Sequence, residues 1–438
     1  MIDRNFHIGH FGTDALTPFT NVLKRIQVET FGCLYRGNGV LTWVPGEGFS
    51  IFGSMRLIRG ARPSEWELGR PTFPTGKLNS LRLEAGNGDK AIAFVDSPRF
   101  DSLLSGNELH IELNALHFLS RSDGRQADVA GRLLFQGEYP IGLPDMINTL
   151  TKVNGKQLKA DWHRGLSYER DGVGFYIDHV DKNIYAIDWW CSDACPAGLS
   201  PRRWSIGLVH AWQFLIGQGI APIVIDLDER NRHVRLISKR EEVVHLHAFS
   251  LRKQHGSFSG EDLVKLATLF GQDSVHATIA KELLFRSFDA ADARTWHTRM
   301  FLIGAGLEGA LRTEFGTPFV PKGSGPVPHF PVCERLREFI SKHFSDRWDS
   351  VFDHVAGAWD RTRHRAAHPD WIQAGVDDAS SLPQKEFFND LVTLSWFYGY
   401  MILAMAGYDD LEPSFPRPVD EWKPAVHVTR HGANDAQD

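Results

Sequence analysis

Apolar residues recur at every second position in the first half of the chain and at every third or fourth position in its last third. In ELHIEL (108–113), Leu109, Ile111 and Leu113 share one side, the alternation of a half-buried strand. GVLTWV (39–44), FSIFGSMRLI (49–58), SLRLEA (80–85), KAIAFV (90–95) and GRLLFQGEY (131–139) are further strand-like runs. Gly, Pro, Asn and Asp cluster between them, as turns require. The pattern predicts antiparallel sheets arranged as a sandwich or open barrel. GVGFYIDHV (172–180) and NIYAIDWW (183–190) continue it. PRRWSIGLVHAWQFLIGQG then reads as a helix, with Pro201 at its start and Gly219 near its end. Two more strands are expected at APIVIDL (221–227) and RHVRLIS (232–238).

The period turns helical from about residue 259, where Ser259 is an N-cap candidate with Asp262 three residues on. Helices are expected within 259–271, 274–288, 293–316, 331–344, 345–368 and 383–408. A Pro/Gly loop, TPFVPKGSGPVPHFP, fills 317–331, and the Pro-rich, then polar, tail after about 412 reads as partly disordered. The organisation expected is α+β. A β-rich region of sandwich-like antiparallel sheets (1–255) precedes an all-α bundle (256–412) and a tail (413–438). A chain of 438 residues is too long for one ordinary core, which agrees with at least two domains.

A net charge of -6 argues against a surface coated with basic residues, yet leaves room for a local basic site. The four cysteines, Cys33, Cys191, Cys195 and Cys333, are scattered. CSDAC (191–195) matches neither a zinc knuckle nor a redox CxxC, and a zinc site there would have to recruit His163 or His179, so free thiols in a reducing compartment are expected. MIDRNFHIGHFGTD lacks an apolar secretory core. The apolar run 391–407 is shorter than the roughly 20 residues a membrane span needs and reads as a buried core helix. A cytoplasmic protein without membrane contact is expected.

The chemistry concentrates in RTRHRAAHP (361–369), with three arginines and two histidines in nine positions. Arg363 and His368 spell R-x4-H, and His364 follows the arginine directly. Together with the surrounding helices, this resembles the HEPN superfamily, helical bundles that carry an R-x4-6-H motif. An acidic residue in an apolar helix, Glu308 in LIGAGLEGAL, adds to the likeness. GNGVLTWVPGEGFSIFGSMRLIRG, with Gly39, Trp43 and Pro45 in a G-x-x-x-x-W-x-P pattern, resembles the opening of ApeA-type proteins. The resemblance spans most of the chain. It implies a metal-independent endoribonuclease in abortive anti-phage defence, a homodimer through the helical domain, an RNA substrate with tRNA one candidate, and a phage-derived trigger. It calls for no metal or cofactor.

The residue types suit that reaction. RNA carries its own nucleophile, the 2′-hydroxyl, and attack on the phosphate yields a 2′,3′-cyclic phosphate and a 5′-hydroxyl. An imidazole exchanges protons near neutral pH, and a guanidinium offers a planar fork to phosphate oxygens. On one straight helix Arg363 and His368 would point about 140° apart. His368 precedes Pro369, which disfavours helical backbone at His368 and frees it to turn back. His364 is an alternative acid–base group, and Glu308 would orient Arg363 or His368. Arg361 and Arg365 would hold phosphates of the strand.

Plainer readings stand beside these. Basic residues near a helix C-terminus meet its dipole favourably, and Asp353 or Asp360 could pair with them. Glu308 reads equally as a buried structural acid. A catalytically inactive bundle that only dimerises, attached to a β-rich ligand sensor, is the alternative for the whole chain. HIGH (7–10) with LISKR (236–240) evokes a tRNA synthetase signature, but MIDRNF is too short and polar for the buried parallel strand that motif follows. VIDLDERNRH (224–233) reads as a hairpin turn rather than a nuclease carboxylate set. Trp189 and Trp190 read as core rather than as a binding platform.

Overall fold

The computed structural model describes residues 2–6, 18–30, 33–44, 47–60, 80–85, 90–94, 108–113, 115–121, 129–137, 145–153, 156–181, 184–192, 194–229, 232–238, 244–245, 258–316, 331–367, 382–409, 411–413 and 415. HIGH, most of the 317–331 loop, His368 with Pro369, and nearly all of the tail lie outside these residues. The chain divides into two units. One is Met1–Arg202 with Ala221–Glu242; the other is Arg203–Ile220 with Val243–Asp438.

The first unit holds a sheet of 15 strands. In chain order these begin with β1 (Ile2–Phe6), β2 (Phe19–Thr30), β3 (Cys33–Val44), β4 (Gly48–Arg59), β5 (Ser80–Ala85) and β6 (Lys90–Phe94). Then come β7 (Glu108–Leu113), β8 (Ala115–Arg121), β9 (Val129–Gln136), β10 (Asp145–Val153), β11 (Lys156–Arg170), β12 (Val173–Asp181) and β13 (Ile184–Cys191). Past a short β14 (Gln218–Gly219) follow β15 (Val224–Glu229), β16 (Arg232–Ser238) and a short β17 (Val244–His245). The order is β1-β10-β11-β12-β13-β9-β15-β16-β8-β6-β5-β2-β3-β4-β7. Neighbours are antiparallel except β1 and β10, which run parallel at one edge. So the polar stretch after Met1 does form a strand, but an edge strand.

Strands β7 and β8 stand at opposite ends of the seven-strand run β8-β6-β5-β2-β3-β4-β7. Only residue 114 separates Leu113 from Ala115, so these ends lie within about 7 Å. A flat run of seven strands would hold them roughly 29 Å apart. The sheet therefore curls. Its alternating residues point into the curl: Leu81, Leu83 and Ala85 are buried along β5, and Leu41 and Trp43 along β3 meet Phe49 and Ile51 of β4. A second apolar layer gathers on β9, β12 and β13, where Phe135 stacks on its cross-strand partner Tyr185 at 5.1 Å. Trp189 is buried as expected, flat over Gly131, where a Cβ would sit 2.5 Å from the indole. Inside this layer the Arg132 fork pairs with Asp188 of β13. VIDLDERNRH is the hairpin of β15 and β16, with Glu229 opposite Arg232.

The second unit holds β14 with β17 and seven helices among the described residues. They are α1 (Pro201–Ile216, its first two residues counted with the first unit), α2 (Gly260–Gly271), α3 (Val275–Asp292), α4 (Trp296–Phe315), α5 (Val332–His343), α6 (Phe352–Ala367) and α7 (Leu382–Met405). Pro201 opens α1 as expected, but the helix stops at Ile216 before Gly217, whose φ of 68° closes the turn; Gly219 lies in β14. Ser259 caps α2 in a reciprocal box: its Oγ accepts from the Asp262 amide at 3.2 Å, and Asp262 accepts from the Ser259 amide at 2.8 Å. A 3-10 turn, Asp346–Val351, replaces the first part of the helix expected from 345.

Helices α3, α4, α6 and α7 pack on one another. The apolar run of α7 supplies the middle, with Leu394, Phe397, Tyr398 and Met401 buried. No helix among the described residues is long and apolar enough to cross a membrane. Gly306 on α4 makes the α4–α7 approach possible. A Cβ there would sit 2.4 Å from the Tyr398 hydroxyl, which donates to the Ile303 carbonyl. Cys191 and Cys195 are buried thiols, and Cys333 is an exposed one. A hydrogen bond with Cys195, then burial, push the Cys191 thiol well above its ordinary value.

Candidate functional site

Two helices build the site. On α4, Gly304, Glu308 and Arg312 are spaced four apart and share a face; on α6, Trp359 and Arg363 do the same. The faces meet at Gly304, whose carbonyl accepts from the Trp359 indole N–H at 3.1 Å. One turn further, Arg363 donates from Nη1 to Glu308 Oε2. The other carboxylate oxygen, Oε1, accepts from Arg312 Nε at 3.0 Å and Nη2 at 2.6 Å. The Arg363 guanidinium also lies 5.4 Å from the Trp359 ring centroid, within range of a cation–π contact.

One carboxylate thus holds two guanidinium groups, leaving a local surplus of one positive charge. Glu308 is the more buried member, its side chain 17 % exposed, while the Arg363 side chain is 46 % exposed. The acid steers the arginine from beneath and leaves its outer edge to solvent. A guanidinium so placed presents further N–H donors to an anion such as a phosphate oxygen.

Of the residues singled out from sequence, Glu308 and Arg363 are therefore brought together. Arg361, two positions back, points about 200° away around α6. Its fork is engaged by Asp390 of α7, at 3.0 Å from Nε and 2.7 Å from Nη2, and Asp390 is buried. The acids that hold Arg363 and Arg361 are Glu308 and Asp390, where the sequence had offered Asp353 and Asp360. His354, beside this second pair, bonds Thr393 at 3.1 Å. Burial first, and the Arg361 charge after it, hold its imidazole below the ordinary value. His364 and Arg365 continue α6, with side chains outside the description, and His368 lies outside the described residues altogether.

Sequence reasoning missed two features. His276, Glu314 and His343 converge from three helices, with no local spacing to reveal them. In the β-rich unit, Lys24, Arg25, Arg36 and Arg56 line a concavity of about 500 Å³. Glu84 balances part of that charge, 3.0 Å from Lys24 and 3.5 Å from Arg25. Strict alternation would have put the consecutive Lys24 and Arg25 on opposite faces; a β-bulge between Leu23 and Ile26 lets both face outward.

No protein-family model, no curated protein and no solved structure matches the chain.

Proposed function

We propose that this chain is a metal-independent endoribonuclease of the HEPN type, acting in abortive anti-phage defence and working as a homodimer through its helical unit. The observation that carries the reading is the aim of Arg363. It stands in the R-x4-H stretch, is held from below by Glu308, and keeps a half-exposed guanidinium. In this reading Arg363 binds the non-bridging oxygens of the scissile phosphate and offsets the charge that grows there during attack. His368, or His364 in its place, takes the 2′-hydroxyl proton or returns one to the 5′-oxygen. Glu308 positions the arginine and does no proton chemistry. Arg365 contacts phosphates along the strand, and Arg361, tied to Asp390, acts on RNA less directly. The β-rich unit senses a phage-derived trigger, and its basic concavity suits an anionic one. RNA, with tRNA one candidate, is the substrate.

One observation favours the catalytically inactive scaffold instead: an Arg–Glu–Arg cluster between two helices is also an ordinary way to fasten them. The two readings part in one assay. The full chain is incubated with RNA in chelator, with circular dichroism confirming that it stays folded. The ribonuclease reading expects cleavage, lost in an Arg363→Ala/His368→Ala double variant. Cleavage that survives in the folded double variant, or an absence of cleavage with intact RNA binding and no toxicity on overexpression, removes it.

A further inference from the structure

At the far end of α4 from Gly304, three helix termini meet. Glu314 is the next-to-last residue of α4, His343 the last of α5 and His276 the second of α3. One ligand-capable atom from each lies within 4.8 Å of the other two. The Glu314 side chain is only 2 % exposed and that of His343 11 %. Glu314 Oε1 is 3.0 Å from His343 Nε2 and accepts from Lys342 Nζ at 2.6 Å. The rings of His276 and His343 meet edge to face at 5.5 Å. Phe339 packs on His343 at 4.6 Å and fixes its plane.

A carboxylate buried this deeply needs a cation. Lys342 supplies one, but its side chain is 56 % exposed, so it can swing into water without leaving the protein disrupted. Two imidazoles and one carboxylate are the donor set that suits zinc, whereas calcium and magnesium prefer oxygen alone. With metal–ligand bonds near 2.0–2.1 Å, tetrahedral ligands sit about 3.3 Å apart. The Glu314–His343 separation of 3.0 Å is already close to that. The widest separation, at most 4.8 Å, has to close by up to about 1.5 Å.

We propose that His276, Glu314 and His343 form a zinc site that ties the ends of α3, α4 and α5 together, with the ion displacing the Lys342 ammonium and water taking the fourth position. The site lies apart from Arg363 and does not rest on the ribonuclease reading. The test is direct metal binding to the full chain after stripping with chelator and dialysis. Titrated Co2+ is expected to give the visible bands of four-coordinate cobalt, and Zn2+ to quench them. About one zinc equivalent should be lost in His276→Ala and in Glu314→Gln. His276→Ala carries the comparison if Glu314→Gln fails to fold. Lys342→Met should bind more tightly than the parent, because the competing ammonium is gone; a purely structural salt bridge would give no such gain. Absence of the cobalt bands in the parent protein, an unchanged spectrum in His276→Ala, or weaker binding in Lys342→Met would overturn the assignment.

Discussion

Replacing Glu308 by Gln removes one charge and almost no volume, and it probes how Arg363 is aimed. The carboxylate accepts one hydrogen bond from Arg363 and two from Arg312. Fully shielded, a bond to a charged group contributes roughly 1.5–3 kcal/mol. Here the arginine side chains are 33 % and 46 % exposed, and solvent screening brings each pair towards about 1 kcal/mol or less. Glutamine keeps one acceptor oxygen, so the loss in stability should be about 1 kcal/mol. A double-mutant cycle of Glu308→Gln with Arg363→Ala should return a coupling of about 0.5–1 kcal/mol in urea unfolding. Activity should fall further than stability. A guanidinium free to wander is present at the phosphate for only part of the time, so kcat should drop about 10-fold to 100-fold, or roughly 1.4–2.7 kcal/mol. Arg363→Ala, which deletes the group, should cost at least about 100-fold. RNA cleavage measured on both folded variants decides the matter. A Glu308→Gln protein with full activity and zero coupling would refute the positioning role, and one more active than the parent would recast the pair as a lock on the arginine.

Gly306→Ala should destabilise by about 1–3 kcal/mol through overpacking against Tyr398. Gly304→Ala, whose Cβ would make an ordinary 3.5 Å contact with Thr362 Cγ2, should be neutral or stabilising by up to about 1 kcal/mol from helix propensity; urea midpoints compare the two. Thr362 is fully buried on α6, and its hydroxyl has no hydrogen-bond partner among the described residues, so Thr362→Val should stabilise by about 1 kcal/mol; a clear loss would reveal a partner. Burial holds His210, His343 and His354 below the ordinary imidazole value. The unfolded chain therefore binds more protons as pH falls through about 6.5. Stability should be full above that point and decline below it, with the slope shallower in His354→Gln; an unfolding midpoint that is flat or rises on acidification contradicts this.

The elements legible in the sequence were those whose signals are local. ELHIEL alternates within six residues and became β7; Ser259 and Asp262 lie three apart and became a capping box. DMINTLTKV and KQLKADWHRGLSYER became β10 and β11 although polar residues interrupt their alternation, so pairing rather than pattern makes them strands. The β1–β10 pair joins residues almost 150 positions apart, beyond any window. At the site, Glu308 and Arg363 could each be singled out by residue type and setting, but their union depends on α4 and α6 packing face to face. Arg361 looked the equal of Arg363 in RTRHRAAHP. What separates them is which neighbouring helix each faces, and Asp390 and Glu308 lie 29 and 55 positions away. The His276–Glu314–His343 cluster shows the same limit.

The proposed reaction has Arg363 and a histidine cleaving RNA through its own 2′-hydroxyl, without a metal-activated water. The most direct measurement is the chemistry of the product ends formed by the purified full chain in chelator. The expected result is a 2′,3′-cyclic phosphate on one fragment and a 5′-hydroxyl on the other, with no cut where the 2′-hydroxyl is replaced by hydrogen. A 3′-hydroxyl and 5′-phosphate, or cutting at such a deoxy position, would contradict it.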